Sequence, residues 1–79
     1  NLLLVRAAQA VIAVGGALGT LTEIALALRL GRPVAGLATW QLLSPAGEDE
    51  VHLGLQRFTE AEAAVAWALA RTEQEKVSG

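Results

Sequence analysis

The sequence predicts an α/β fold, a parallel sheet with covering helices, on three observations. Short apolar runs rich in β-branched residues alternate with segments of helical periodicity, a glycine-rich turn joins one such run to a helix, and a second apolar run follows that helix directly. Strands that are apolar on both faces belong inside parallel sheets, and strand, helix, strand is the order from which such sheets are built. The chain has 79 residues, 53% of them hydrophobic. A piece of that length buries only about 60% of the surface its unfolded form exposes. It opens on Asn1 rather than a methionine, so residues 1–71 read as roughly the C-terminal half of one domain and 72–79 as a frayed tail.

Element by element, "LLLVRAA" (residues 2–8) reads as helix and "AVIAV" (10–14) as a buried strand. The turn "GGALGT" follows. From Leu21 the apolar residues Leu21, Ile24, Ala25 and Leu28 fall at helical spacing, and Gly31 with Pro33 supplies the stop. Leu26, Ala27 and Leu30 form a second apolar face, which predicts a helix covered on two sides. "PVAGLATW" (33–40) reads as another buried strand, and "QLLSPAGEDE" (41–50) as a polar loop punctuated by Pro45 and Gly47. "VHLGLQRF" (51–58) alternates as an edge strand would. Thr59 and Glu62 match a capping box that opens a last helix through Arg71, with Ala61, Ala64, Val65, Ala68 and Leu69 on one face.

Composition excludes several classes. Net charge is −2 with six basic residues scattered along the chain, so nothing tracks a phosphate backbone and nucleic acid is not expected as a partner. No cysteine is present and there is a single histidine, which leaves no thiol nucleophile, disulfide or zinc cluster, and no metal site is expected. The longest uncharged stretch, Ala7 to Thr22, is 16 residues. That is short of the roughly 18 to 20 that span a bilayer, so no membrane partner is expected and the location expected is the cytoplasm.

The stretch "VGGALGTLTE" (14–23) carries the chemistry. A strand that feeds a helix through glycines leaves backbone N–H groups unpaired at the positive end of the helix dipole, where an anion is favoured. In open α/β sheets that turn lies at the carboxyl end of a strand, where ligands bind. A dinucleotide fingerprint would need glycine at position 14, which is Val, and a P-loop would need lysine where Gly19 stands. Two readings of Thr20 and Glu23 stay open: a capping box, or ligand contacts. Because a carboxylate repels phosphate, Glu23 beside a bound phosphate would have to face a neutral or cationic part of the ligand, as a ribose would be.

The segment "VRAAQAVIAVGGALGTLTEIALALRLGRPV" resembles the Lonely Guy and molybdenum cofactor carrier group of Rossmann-like proteins, formerly labelled lysine decarboxylases. The group's signature P/G-G-G-x-G-T-x-x-E is met by Gly15, Gly16, Gly19, Thr20 and Glu23, and the likeness covers roughly residues 1–38. Ala17 departs from it, standing where the triplet has its third glycine. The arginine-lysine pair that precedes the motif in the hydrolases would fall one position before Asn1 and on Asn1 itself, which leaves Arg6 as the nearest cation.

The resemblance implies a Rossmann-like fold and a phosphate site made of Gly15, Gly16, Ala17, Gly19 and Thr20, with Arg6 as a further contact. The carrier-like reading is preferred: binding of a nucleotide or other small-molecule phosphate ester without chemistry. The first alternative is a nucleoside 5′-monophosphate phosphoribohydrolase, in which Glu23 would be catalytic by stabilising an oxocarbenium-like sugar or activating water. The second is an oligomerisation module with a vestigial site. Whether the chain is an enzyme is left open, and a homo-oligomer built through the helix after the turn is expected. Elsewhere, Trp40 reads either as a base-stacking residue or as packing, His52 as a surface histidine, and Glu48, Asp49 and Glu50 as a solvated loop rather than a calcium site.

Overall fold

The computed structural model describes the backbone of residues 3–7 and 9–78 and the side chains of residues 9–71. Its elements run β1 (Leu3–Ala7), β2 (Ala10–Val14), α1 (Leu18–Arg29), β3 (Val34–Leu37), α2 (Glu50–Leu53), β4 (Leu55–Phe58) and α3 (Ala61–Ser78). The strands form one sheet in the order β1-β2-β3-β4. β2, β3 and β4 are parallel, with Val11, Ile12, Ala13 and Val14 opposite Val34, Ala35, Gly36 and Leu37. The fold is α/β, as the alternation of apolar runs and helical segments predicts.

β2 shows why "AVIAV" carries no polar residue. Val11 and Ala13 point to one face and pack with Ile24 and Ala27 of α1, Val34 and Leu55. Ala10 and Ile12 point to the other and pack with Ala35 and with Ala64 and Ala68 of α3. Helices cover both faces, so each side chain of the strand meets protein. Small alanines at six of these buried helix and strand positions (Ala10, Ala13, Ala27, Ala35, Ala64 and Ala68) let the layers approach closely.

Several expectations are corrected. Residues 3–7 are a strand, antiparallel to β2 with Leu3 opposite Val14 and Ala7 opposite Ala10, where the sequence reads as helix. Leucine, alanine and arginine favour helices by only tenths of a kcal/mol per residue, and sheet pairing overrides a preference of that size. Leu2, Ala8 and Asn1 lie outside the described residues. "VHLGLQRF" is not one strand: Glu50–Leu53 is a helical turn and only Leu55–Phe58 is extended. Asp49 caps that turn by accepting from the His52 N–H, and Gly54 ends it at φ 107°, a conformation that costs glycine little.

The helix starts differ as well. α1 begins at Leu18 with Ala17 at the N-cap and no side-chain cap, so Thr20 lies inside the first turn and no Thr20–Glu23 capping box forms. α3 begins at Ala61, so Thr59 stands before its start, and the Glu60 carbonyl accepts the first bond, from the Ala64 N–H. The helix extends beyond Arg71 to Ser78. The buried stripes shift accordingly: α1 buries Thr20, Ile24 and Ala27 and leaves Ala25 exposed, and α3 buries Ala64 and Ala68 while Val65 and Leu69 face out. Among the described residues no helix is long and apolar enough to cross a membrane.

Candidate functional site

The glycine turn occupies residues 15–17, between the carboxyl end of β2 and the start of α1. Gly15 turns the chain at φ 93°, in the left-handed region, while its N–H still donates to the Leu37 carbonyl at 3.2 Å and so extends the sheet by one bond. The Ala17 carbonyl then accepts from the Leu21 N–H at 3.2 Å and opens the helix. Between these two bonds the N–H groups of Gly16, Ala17, Leu18 and Gly19 find no acceptor among the described residues. A Cβ placed on Gly16 would meet nothing within 4 Å, so the turn faces open space. Unpaired N–H groups at the positive end of a twelve-residue helix, facing outward, can hold an anion.

The carbonyls of the same turn are tied back by the neighbouring strand. Thr39 Oγ1 donates to the Gly15 carbonyl at 2.6 Å, and Trp40 Nε1 donates to the Ala17 carbonyl at 3.0 Å. Both residues follow β3, whose end lies beside that of β2 because the two strands are parallel neighbours. The chain reaches them through Ala38, which adopts φ 47°, a conformation unfavourable for any residue with a side chain. Gly36 makes room beneath: a Cβ there would stand 2.9 Å from the Thr39 methyl and 3.2 Å from Leu55. With its carbonyls engaged from below, the turn presents its N–H groups outward.

Behind this latch stands an ion pair. Arg57 of β4 donates through Nε to Glu50 Oε2 at 2.9 Å and through one terminal nitrogen to Glu50 Oε1 at 3.0 Å. It also reaches the carbonyls of Thr39 at 3.2 Å and Trp40 at 2.7 Å. Glu50 accepts in addition from the Leu42 N–H at 3.3 Å. Hydrogen bonding to Arg57 holds the Glu50 carboxyl below its ordinary range despite partial burial, and the same bond raises Arg57 further. Asp49 is likewise lowered, first by the His52 N–H it accepts.

The residues expected at the site are placed as follows. Gly15, Gly16, Ala17 and Gly19 come together in the turn and first helical turn. Thr20 is buried at 0% exposure among the core residues, and its hydroxyl has no hydrogen-bond partner. Glu23, half-buried at the border of the buried stripe, makes no hydrogen bond or ion pair among the described residues. Arg6 lies on β1 opposite Val11, at the amino end of β2 rather than the end that carries the turn, and its side chain is outside the described residues. Trp40 is half-buried against the α1 face of the core with its indole N–H on the turn, and His52 is exposed beside Asp49. The acidic triplet is divided in role, Asp49 capping α2 and Glu50 pairing with Arg57. Sequence reasoning passes over Thr39 and Arg57 and reads Glu50 as part of a solvated loop, which its pairing with Arg57 corrects; the one signal for Thr39 and Trp40 is that they directly follow the strand next to β2.

Comparison with protein families finds a match to the SLOG cluster4 family model over residues 1–73. The chain belongs to the SLOG cluster4 family. This membership is consistent with the Lonely Guy-type Rossmann-like grouping that the glycine motif suggests, and it points to a nucleotide- or phosphoribose-related function. No match emerges among curated proteins or solved structures. In this SLOG cluster4 chain the matched region contains the glycine turn, its latch and the ion pair alike.

Proposed function

We propose that the protein binds the phosphate group of a nucleotide or other phosphate ester at the glycine turn, in a carrier-like manner. The observation that carries this reading is the row of N–H groups from Gly16 to Gly19, without acceptors among the described residues, that opens α1 at the carboxyl end of a parallel strand. Family membership supports the ligand class. The phosphate oxygens accept from these N–H groups, the helix dipole stabilises their charge, and no side-chain cation is required among the described residues. Thr20 contributes its backbone, since its buried hydroxyl is closed off from solvent.

Isothermal calorimetry with purine nucleoside monophosphates and with inorganic phosphate tests the proposal. Saturable heat is expected with the wild type, and Gly16→Val should weaken it at least tenfold, because its side chain enters the space the phosphate takes from a Cβ that meets no neighbour within 4 Å. Unchanged affinity in a folded Gly16→Val protein would contradict the site.

A second reading, hydrolysis of the N-glycosidic bond, is favoured by one observation: the Glu23 carboxylate has no hydrogen-bond or ion-pair partner among the described residues and stands in the first turns of the same helix. A carboxylate that stabilises a cationic sugar contributes about 10²-fold or more to turnover. Binding without base release by the wild type, retained in Glu23→Gln, is the outcome the carrier-like reading expects. Release of free base from a nucleoside monophosphate, abolished in that variant, would establish the hydrolase.

A further inference from the structure

The phosphate reading concerns groups on the turn itself, but the turn's shape is fixed from two strands away. The side chains that hold the Gly15 and Ala17 carbonyls are those of Thr39 and Trp40, and those two residues sit in a segment with no ladder of its own, just after the strained Ala38. What fixes that segment is Arg57. Its guanidinium has five N–H donors and makes four hydrogen bonds, two to Glu50 and two to the Thr39 and Trp40 carbonyls. So fully engaged a guanidinium has little left to offer a ligand. Its fork geometry, however, suits it to hold a carboxylate on one side and two successive carbonyls on the other. Glu50 in turn is fixed by its place at the start of α2 and by the Leu42 N–H.

We propose that Arg57 is a positioning residue for the anion site. Held by Glu50, it clamps the carbonyls of Thr39 and Trp40 so that their side chains keep the Gly15 and Ala17 carbonyls turned inward and the neighbouring N–H groups turned out. Without the clamp the segment 38–40 relaxes from its strained conformation, the latch opens, and the N–H groups lose their common direction. The ligand then has to order the turn as it binds, which lowers affinity without removing any group that touches it. This inference rests on the phosphate reading for its effect on affinity but not for its effect on the latch.

The test therefore has a ligand-free arm. Hydrogen exchange of the Trp40 indole N–H, followed by nuclear magnetic resonance in a Trp67→Phe background, reports the bond to the Ala17 carbonyl directly. Arg57→Ala should accelerate it roughly tenfold or more while the Ala64 and Ala68 amides of α3 keep their protection. Arg57→Lys preserves the charge facing Glu50 but cannot span both carbonyls, so it should give an intermediate rate and a folded control. In the second arm, phosphate or nucleoside monophosphate affinity should fall roughly tenfold in Arg57→Ala. It should fall by a similar factor in Trp40→Phe, and no further in the double variant, since both act through one latch. Unchanged indole exchange in Arg57→Ala and Arg57→Lys would overturn the clamp. Accelerated exchange with unaltered affinity would overturn its role at the site. A wild type that binds no phosphate compound yet shows the exchange effect would overturn the phosphate reading alone and leave the clamp standing.

Discussion

Thr20 is the residue at which stability and sequence pattern diverge most. It occupies a core position between β2 and α1 with its hydroxyl unpaired, and a buried hydroxyl without a partner costs about 1 to 3 kcal/mol. Thr20→Val keeps the shape and removes the orphan, so the denaturant midpoint should rise by the equivalent of about 1 kcal/mol. Phosphate affinity should be retained, because the proposed contact at this residue is the backbone N–H. A loss of affinity in a stabilised Thr20→Val protein would mean that the hydroxyl turns toward the ligand. Gly36 carries the opposite expectation: a methyl group there meets the Thr39 side chain at 2.9 Å, so Gly36→Ala should destabilise the fold and speed exchange of the Trp40 indole N–H together.

At the scale of elements, the parts legible in the sequence are those whose pattern has one physical solution. β2 matches its sequence reading at both ends because five consecutive apolar residues after Gln9 and before a double glycine fit little else than a strand buried on both faces. α1 was legible as a helix but not in its start. Thr20-Leu21-Thr22-Glu23 satisfies the capping spacing, yet the latch on Ala17 sets the N-cap three residues earlier, through bonds to Thr39 and Trp40 that no local pattern contains. The clamp was illegible for the same reason: Glu50 and Arg57 are seven residues apart, and nothing in that spacing points to Thr39 and Trp40, which β3 and β4 bring beside Arg57 by pairing.

The Glu50–Arg57 pair makes the stability of the α2–β4 region depend on acidity. Glu50 titrates below its ordinary range in the folded chain, so its stabilising contribution is fully present above that range and is lost as pH falls through the lowered value. Denaturant midpoints should therefore decline with acidification, and Glu50→Gln should be less stable near neutrality and show a shallower decline. A Glu50→Gln profile parallel to the wild type would contradict the assignment. The outer face of α1 gives a separate expectation. Leu18, Leu26 and Leu30 are 73%, 44% and 59% exposed, and the homo-oligomer expected from the sequence would place Leu26 and Leu30 at its contact. Sedimentation should then show an assembly larger than one chain that Leu26→Glu with Leu30→Glu dissociates; a monomeric wild type would remove that expectation.

For the molecule as a whole, a four-stranded sheet covered on both faces brings the carboxyl ends of its parallel strands β2, β3 and β4 to one end, and each has its own task. β2 ends in the turn with free N–H groups, β3 in the residues that latch it, and β4 carries the arginine that holds the latch. That division gives the glycine motif of this SLOG cluster4 chain its outward geometry, and it makes the central claim directly measurable. Titration of the isotope-labelled protein with a purine nucleoside monophosphate, followed amide by amide, should shift the N–H signals of Gly16, Ala17, Leu18 and Gly19 saturably and ahead of all others but that of Thr20. Inorganic phosphate should move the same signals. Signals that stay in place at those four residues, or that move instead around Leu37, Phe58 and Thr59 in the open depression of about 380 Å³ at the ends of β3 and β4, would contradict the account.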